Sequence, residues 1–343
     1  MKIQIFLGTG GVGKTSIAAA TALGSALRGE KALVLTIDPA QRLRTALRLD
    51  SGQWQQQVPV ESAADGQLWA ALLETRSTLD RAVQSYATSP QQVETILKHP
   101  IYEVLISSLA GMQELMAIER LDQALRDDFE RIVVDTAPSR HALEFLDKPE
   151  QFGQLVSFPL VQLVGRTYKW FEGSRLSRWG RQSVDLYSKV EELLGATLVR
   201  QVLDFYSIFR SIAEGYARRA AKTARRLRDP KTTSFHIVTT PYKARRDVEY
   251  FWKELQTRKF PIEGLVINRV WPATQGDLPG DAPALATRAL DWYRSVSADH
   301  QRISAEVFAQ FSAQIPSHRQ IPELSRDADG LEALHQISRS LEV

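Results

Sequence analysis

The fold is decided by the amino-terminal stretch Lys2-Ile3-Gln4-Ile5-Phe6-Leu7-Gly8-Thr9-Gly10-Gly11-Val12-Gly13-Lys14-Thr15-Ser16. An apolar run typical of a buried strand enters a loop of the pattern G-x-x-x-x-G-K-[ST], and a helix-forming run follows as far as Leu23. In such a loop, backbone N–H groups and the helix N-terminus face phosphate oxygens, the lysine neutralises terminal phosphates and the threonine hydroxyl can bind Mg²⁺. The alternative is a chance glycine turn between a strand and a helix. We predict that these loop residues bind a nucleotide: Gly8, Gly10, Gly11, Val12, Gly13, Lys14, Thr15 and Ser16.

The composition is ordinary for a globular protein of this size. Of the 343 residues, 43% are hydrophobic and 24% are charged, which suffices for one large or two ordinary domains. The net charge of +3 is mildly basic and by itself argues for neither a nucleic acid nor an acidic membrane as partner. The absence of cysteine excludes disulfides, thiolate metal sites and cysteine nucleophiles. The chain shows neither a signal-peptide pattern nor about 18 consecutive apolar residues, so we expect a cytoplasmic protein without a membrane span.

Strand-like and helix-like runs alternate along much of the chain. Further strands are predicted at 31–37, 68–73, 131–135, 234–240 and 262–268, although a helix fits 68–73 nearly as well. Helices are predicted at 16–28, 245–258, 284–296 and 330–341, with a loop over 314–323. This alternation predicts an α/β fold with a doubly wound, mostly parallel sheet, whose site lies at the carboxyl ends of the strands.

Two helical regions do not fit simple crossovers between strands. They cover residues of about 80–125 and 150–228, and the second is far too long for one connection. We interpret them as a helical subdomain inserted into a single nucleotide-binding domain that spans residues 1–343.

Asp38 and Asp135 each end an apolar run, where a doubly wound sheet places site residues. Burying a carboxylate there is costly unless a metal ion, a cation or hydrogen-bond donors accompany it. A helix N-cap is the alternative interpretation for either residue. Asp135 has the position of the acid that holds Mg²⁺ in a second nucleotide motif.

The segments Gly10–Thr15, Thr36–Ala40 and Asp135–Leu143 resemble, in sequence, order and separation, the arsenite-pump ATPase (ArsA) family. That family includes the eukaryotic targeting factor for tail-anchored membrane proteins, and it reads these segments approximately as GKGGVGKT, TDPAHSL and DTAPTGHTLR. The segments Val266–Asn268 and Ile321–Glu323, followed by Gly330-Leu331-Glu332, look like the two adenine-contacting regions of the family.

The resemblance implies a P-loop ATPase with ATP and Mg²⁺ as cofactors. Lys14 and Asp38 would be catalytic, with Asp38 orienting the attacking water, while Thr15 and Asp135 would hold Mg²⁺. Asn268 and Pro322 would contact the adenine. It also implies an ATP-dependent homodimer whose switch loops act on the helical insert, with an apolar client or a membrane-protein partner.

Three departures from the family pattern limit what the resemblance implies. Thr9 replaces a lysine that reaches across the family's dimer, and Arg140 replaces a glycine. Arg42, Arg44 or Arg140 are candidates to supply the missing charge. The absence of cysteine removes the thiolate arsenite site and the CxxC zinc site that some members use.

The predicted insert carries an apolar and a basic segment. Residues 153–164 are predicted to form an apolar helix that is either buried core or a groove for an apolar client, and residues 205–209 together with Ile212 offer a layer to cover it. A basic face is either a solvated surface or a contact for anionic lipid or an acidic partner, and we expect no nucleic-acid binding. The residues of this basic face, at helical spacing, are Arg218, Lys222, Arg225 and Arg226.

These observations predict an ATP-hydrolysing molecular switch, with in-line attack of water on the γ-phosphate. One alternative is a MinD-like regulator that acts mainly as a nucleotide-dependent binding module on a membrane or filament. Another is a nucleotide-binding scaffold that hydrolyses little ATP because Thr9 has replaced the lysine.

Overall fold

A computed structural model of the chain describes residues 1–38, 42–49, 54–60, 65–108, 112–137, 196–274, 276–279, 282–324 and 330–342. Eight strands in these ranges form one sheet in the order β3-β4-β2-β5-β1-β6-β7-β8. All neighbouring strands are parallel except β3, which runs antiparallel to β4. The strands are β1 Lys2–Leu7, β2 Lys31–Thr36, β3 Gln55–Val58, β4 Gln67–Leu72, β5 Arg131–Asp135, β6 Thr233–Thr239, β7 Ile262–Val270 and β8 Ser317–Pro322.

Helices connect most of the parallel strands, which confirms the predicted α/β class of a P-loop NTPase. A short 3₁₀ turn, Pro241–Lys243, follows β6. The helices are α1 Lys14–Leu27, α2 Arg42–Leu47, α3 Thr75–Tyr86, α4 Pro90–Leu97, α5 Pro100–Ser108, α6 Met112–Ala124, α7 Ala196–Leu227, α8 Ala244–Thr257, α9 Ala284–Phe311 and α10 Leu331–Glu342.

The loop after β1 lies in the middle of the sheet, because β1 is flanked by β5 and β6. Phe6 of β1 is level with Asp135 of β5 on one side and with His236 of β6 on the other. Thr36 of β2 is in turn level with Asp135. The ends of β1, β2 and β5 therefore lie together at one edge of the sheet, where a doubly wound fold binds its ligand.

Helix α1 is buried because it packs in the hydrophobic core beside the sheet. Its alanines, among them Ala18, Ala19 and Ala22, are fully buried, and their small side chains let the helix approach its neighbours closely. At its far end, α1 contacts α10, where Arg28 forms an ion pair with Glu342. The helix that follows the phosphate loop is therefore held along its length.

Two strands were absent from the sequence prediction. The predicted loop over 314–323 is wrong, because Ser317–Pro322 forms β8 beside β7. Only Ile321 of this strand is buried, so the strand lacks the apolar run of a central strand. The polar edge strand β3 gave no signal for the same reason. The choice of a strand over a helix at 68–73 is confirmed by β4.

One predicted helix is much longer than expected. The helix predicted at 284–296 is α9, which continues to Phe311 and buries Val307 and Phe311 along its second half. The remaining predicted helix and strand boundaries agree with the structure within a few residues.

The chain divides into two compact units. The first comprises Met1–Leu73, Ala124–Ala142 and Arg225–Val343 and contains the sheet, and the second comprises Glu74–Gln123 and Leu143–Ala224. The predicted insert overlaps the second unit. The assignment of the whole chain to one ATPase domain with an insert stays a prediction.

The described part of the second unit is helical and has a core of its own. Tyr86 donates a hydrogen bond to Glu119 at 2.7 Å, and burial together with that carboxylate raises the pKa of the tyrosine. Phe205 stacks against Phe209 at 5.0 Å and lies 5.1 Å from the ring of His99. Phe205 and Phe209 therefore already have ring partners within this unit, while residues 153–164 lie outside the described part of the chain.

No single helix in the described ranges has the length and apolar composition of a membrane span. Within the same ranges, one pair of helices, α5 and α6 across a bend of 97°, meets that criterion when taken together. Three members of the predicted basic face, Arg218, Lys222 and Arg225, are exposed on α7, whereas Arg226 is partly buried.

Candidate nucleotide site

The loop between β1 and α1 has the backbone that its glycines predict. Gly13 has a φ of 85° and Gly11 a φ of 79°, a left-handed region that favours glycine. A side chain at Gly8 would place its Cβ 2.2 Å from the Val238 carbonyl oxygen of β6. The loop is therefore packed against the sheet at its start and turns sharply at its end.

Helix α1 begins without a capping side chain. Gly13 occupies the N-cap position, and it has no side chain that could accept a hydrogen bond from the first turn. The first N–H groups of a helix have no partners within the helix, and together with the helix dipole they attract anions. The start of α1 is thus suited to receive phosphate oxygens.

Asn268 holds the end of this loop in place. Its side-chain amide nitrogen donates a hydrogen bond to the Val12 carbonyl at 2.9 Å, and a Cβ on Gly13 would lie 2.2 Å from the same nitrogen. Asn268 was predicted to contact adenine, and the structure gives it a direct contact with the phosphate loop. Pro322 is the last residue of β8 and is paired with Val270 of β7, the strand that contains Asn268. Pro322 therefore lies at the carboxyl end of the strand next to β7.

Asp135 lies at the base of the loop. One of its carboxylate oxygens, Oδ2, accepts hydrogen bonds from the Thr15 hydroxyl at 2.8 Å and from the Thr36 hydroxyl at 3.0 Å. The carboxylate is 1% exposed, and its other oxygen, Oδ1, is buried without a hydrogen-bond partner. A buried anion with one oxygen unsatisfied is costly, so this position favours a bound cation.

The electrostatics of Asp135 lead to the same conclusion. Burial raises the pKa of its carboxyl group from 3.8 to about 6, and the negative charge of Asp38 adds to this, while Thr15, Lys14 and Thr36 act in the opposite direction. A divalent cation would remove this cost by pairing with the ionised carboxylate.

Thr15 and Asp135 fit Mg²⁺, which binds through one or two carboxylates and completes its shell with water and substrate phosphates. In the described part of the chain, no group of three or more histidine, aspartate or glutamate side chains could hold a metal ion by itself.

Asp38 follows β2 and is 7% exposed. Its backbone N–H donates to the Thr36 hydroxyl at 3.2 Å, which joins it to the group around Asp135. Residues 39–41, between Asp38 and the start of α2 at Arg42, lie outside the described ranges. Asp38 is thus a second acid at the same strand edge as the loop.

Lys14 is 5% exposed, and its ammonium group donates a hydrogen bond to the Thr9 carbonyl at 3.1 Å. The lysine therefore folds back over the loop that contains it. Ser16, the next residue but one, is partly buried in the first turn of α1.

Two residues at this site were missed by sequence reasoning. The Thr9 hydroxyl donates to Asp247 Oδ2 at 2.6 Å, and the Lys243 ammonium group donates to the Gly10 carbonyl at 2.9 Å. Asp247 is 1% exposed in the first turn of α8. The sequence does offer one signal: Asp247 adjoins the apolar positions of that helix, where a carboxylate indicates a buried acid.

Several predicted residues lie outside the described ranges or have no described side chain. Arg140, the apolar run 153–164 and the side chain of Arg42 belong to this group. Of the candidates for the missing charge, Arg44 is the one with a described side chain, which is partly buried on α2.

Comparison with known proteins agrees with this geometry. The family model described as anion-transporting ATPase matches residues 1–342. The chain belongs to this family. Membership confirms the family resemblance stated above.

Individual relatives are distant. ATPase GET3B of Arabidopsis thaliana is 26% identical over 301 residues, which cover 80% of this chain and 66% of that protein. A putative arsenical pump-driving ATPase of Prosthecochloris vibrioformis is 31% identical over 156 residues, 44% of this chain and 36% of that protein. The arsenical pump-driving ATPase of Escherichia coli is 28% identical over 154 residues, 44% of this chain and 26% of that protein. The chain thus spans about two thirds of the first relative and only about a third or a quarter of the pump-driving proteins.

Proposed function

We propose that this protein is a Mg²⁺-dependent ATPase that acts as a molecular switch. The observation that carries the proposal is the uncapped helix start at Gly13, with the Thr15 hydroxyl bonded to the half-satisfied carboxylate of Asp135. An anion site and a cation site thus lie next to each other, as Mg²⁺-ATP requires.

Each residue of the site has a role in this proposal. Backbone N–H groups of Gly8 to Thr15 and the side chain of Lys14 bind and neutralise the phosphates. Asp38 orients the water that attacks the γ-phosphate in line, and Asn268 and Pro322 flank the adenine.

Thr15 and Asp135 would hold Mg²⁺, which supplies charge neutralisation on the phosphate oxygens when it is bound. Asp135 must be ionised for this purpose. Its raised pKa therefore makes the site less competent as the pH falls through about 6.

The proposal is tested by ATP hydrolysis in the wild type and in two variants. Lys14→Ala removes the phosphate-neutralising charge and should abolish hydrolysis. Asp38→Asn should keep ATP binding within about threefold but lower kcat by at least about a hundredfold, because positioning of the water is lost. If Asp38→Asn hydrolyses ATP at the wild-type rate, the role of Asp38 is wrong.

The switch would act through an ATP-dependent homodimer and the helical second unit, on an apolar client or a membrane-protein partner. Support comes from family membership and from the position of Asp38 just after β2 and of Asp135 at the end of β5, beside the phosphate loop. A mass measurement with ATP and a γ-phosphate mimic should give a dimer, and with ADP a monomer. A mass that does not depend on the nucleotide would refute this part.

The second candidate function is a MinD-like regulator that binds a membrane surface in one nucleotide state. The exposed basic residues Arg218, Lys222 and Arg225 of α7 favour it. Sedimentation with vesicles containing anionic lipid, with and without ATP, separates the candidates. Charge-reversed Arg218→Glu and Lys222→Glu should then lose vesicle binding, whereas the ATPase switch with an apolar client does not require these residues.

A further inference from the structure

The phosphate loop has two side-chain ties to one short segment after β6. Lys243 closes the 3₁₀ turn at Pro241–Lys243, and Asp247 lies four residues later in the first turn of α8. Lys243 donates to the Gly10 carbonyl at 2.9 Å, and Asp247 accepts from the Thr9 hydroxyl at 2.6 Å. Neighbouring loop residues are thus held by opposite charges from the same segment.

Asp247 is an unusual residue to find inside this fold. It is 1% exposed, its Oδ1 has no hydrogen-bond partner, and its Oδ2 is also approached by the Thr239 hydroxyl at 3.4 Å. The 2.6 Å bond from Thr9 is the shortest contact that satisfies this buried acid. A buried carboxylate held chiefly by one loop hydroxyl favours that loop conformation strongly.

Thr9 connects Asp247 to Lys14. The side chain of Thr9 donates to Asp247, and its carbonyl accepts from the Lys14 ammonium group at 3.1 Å. A displacement of the Thr9 backbone would strain both bonds, so the bond to Asp247 helps to fix the carbonyl that holds the ammonium group of Lys14. The position of the phosphate-neutralising charge thus depends on a residue of α8 that is distant in the sequence.

We propose that Asp247 is a positioning residue for the ATP site, which holds Thr9 so that Lys14 meets the terminal phosphate, and that Lys243 supports the same loop through Gly10. This inference rests on the proposed ATPase function. It also gives Thr9 a role of its own as the residue through which α8 fixes the loop.

The test measures the affinity of Mg²⁺-ATP and of Mg²⁺-ADP for the purified full-length chain by calorimetry. Thr9→Val keeps the shape of the side chain but removes the hydroxyl. We expect it to weaken ATP binding about tenfold, the loss typical of one hydrogen bond to a charged group. ADP binding should weaken by about threefold or less, because Lys14 acts mainly on the terminal phosphate.

Matched variants separate positioning from stability. Thr9→Ser keeps the hydroxyl and should restore ATP binding to within about twofold of the wild type. Thr239→Val removes the other hydroxyl at the same carboxylate and should leave both affinities unchanged. Asp247→Asn should reproduce the loss of ATP preference, since it removes the charge that holds Thr9.

Lys243 has a matched control, Lys253, on the helix that follows it. Lys243→Met should weaken ATP binding about threefold, whereas Lys253→Met removes an exposed lysine that pairs with Glu249 and should have no effect. Unchanged binding in Lys243→Met would overturn the part of the proposal that concerns Lys243.

The outcomes also separate this inference from the proposed function. If the wild type binds ATP and folded Thr9→Val binds ATP and ADP as the wild type does, or loses both equally, the positioning role is overturned and the ATPase proposal stands. If the wild type itself binds no ATP, both are overturned.

Discussion

Asp135→Asn should make the protein more stable while it abolishes ATP hydrolysis. In the folded protein, burial raises the pKa of Asp135 from 3.8 to about 6. A pKa difference of one unit corresponds to about 1.4 kcal/mol, so ionisation of Asp135 at neutral pH costs the folded state about 3 kcal/mol. Asparagine is neutral, and its side-chain carbonyl can still accept the hydrogen bonds from Thr15 and Thr36. We therefore expect a gain of up to about 3 kcal/mol, or roughly 5 °C in Tm for a chain of this length.

The pH dependence of this gain gives the sharper test. A carboxyl group whose pKa is raised by folding stabilises the protein at low pH, and that stability is lost as the pH rises through the folded pKa. The advantage of Asp135→Asn should therefore be full at pH 7.5, begin to shrink near pH 6 and vanish close to pH 3.8.

Thermal unfolding of both proteins without nucleotide, at pH 7.5, 6 and 5, measures this difference. Asp65→Asn, which changes an exposed carboxylate of the same unit, is the control and should show no gain at any pH. The reasoning is refuted if Asp135→Asn is no more stable than the wild type at pH 7.5, or if its advantage is the same at pH 5.

Three further predictions concern other residues. Burial lowers the pKa of His236 to about 4, so the free energy of unfolding should fall by at most about 3 kcal/mol as the pH is lowered from 6.5 towards 4. Urea unfolding of His236→Gln over the same pH range should lack that decline. Gly13→Ala combines a φ of 85° with a Cβ only 2.2 Å from Asn268, so it should abolish ATP binding in calorimetry, whereas Gly11→Ala, with open space around its Cβ, should cost only about 1–2 kcal/mol in unfolding experiments. Asn268→Ala removes the hydrogen bond to the Val12 carbonyl and should weaken the binding of both ATP and ADP. Unchanged binding of both nucleotides would show that this hydrogen bond is not needed for nucleotide binding.

The parts of the fold that sequence predicted are those that local patterns determine. The central strands β1, β2, β5, β6 and β7 are apolar on both faces, and such runs are visible without any knowledge of their neighbours. The edge strands were missed because β8 buries only Ile321 and β3 only Val58. An edge strand depends on pairing with a neighbour that lies far away in the sequence, and its own residues carry little signal.

The candidate site shows the same division. Gly8 to Thr15 form a contiguous motif, and Asp38 and Asp135 end strands that were themselves predictable. Asp247 was missed because its contact joins residues 238 positions apart, and the spacing between them is set by the whole sheet. Nothing in the local sequence of α8 specifies that its first turn lies against the phosphate loop.

The central claim is that the loop after β1 and the acid at the end of β5 form a working Mg²⁺-ATP site. The most direct measurement is the rate of phosphate release from ATP by the wild type, with Mg²⁺ and with Mg²⁺ removed by a chelator, beside Lys14→Ala under the same conditions. We predict release by the wild type only with Mg²⁺, and none by the variant. Equal rates in the wild type and Lys14→Ala, or no release by the folded wild type with Mg²⁺, would contradict the claim.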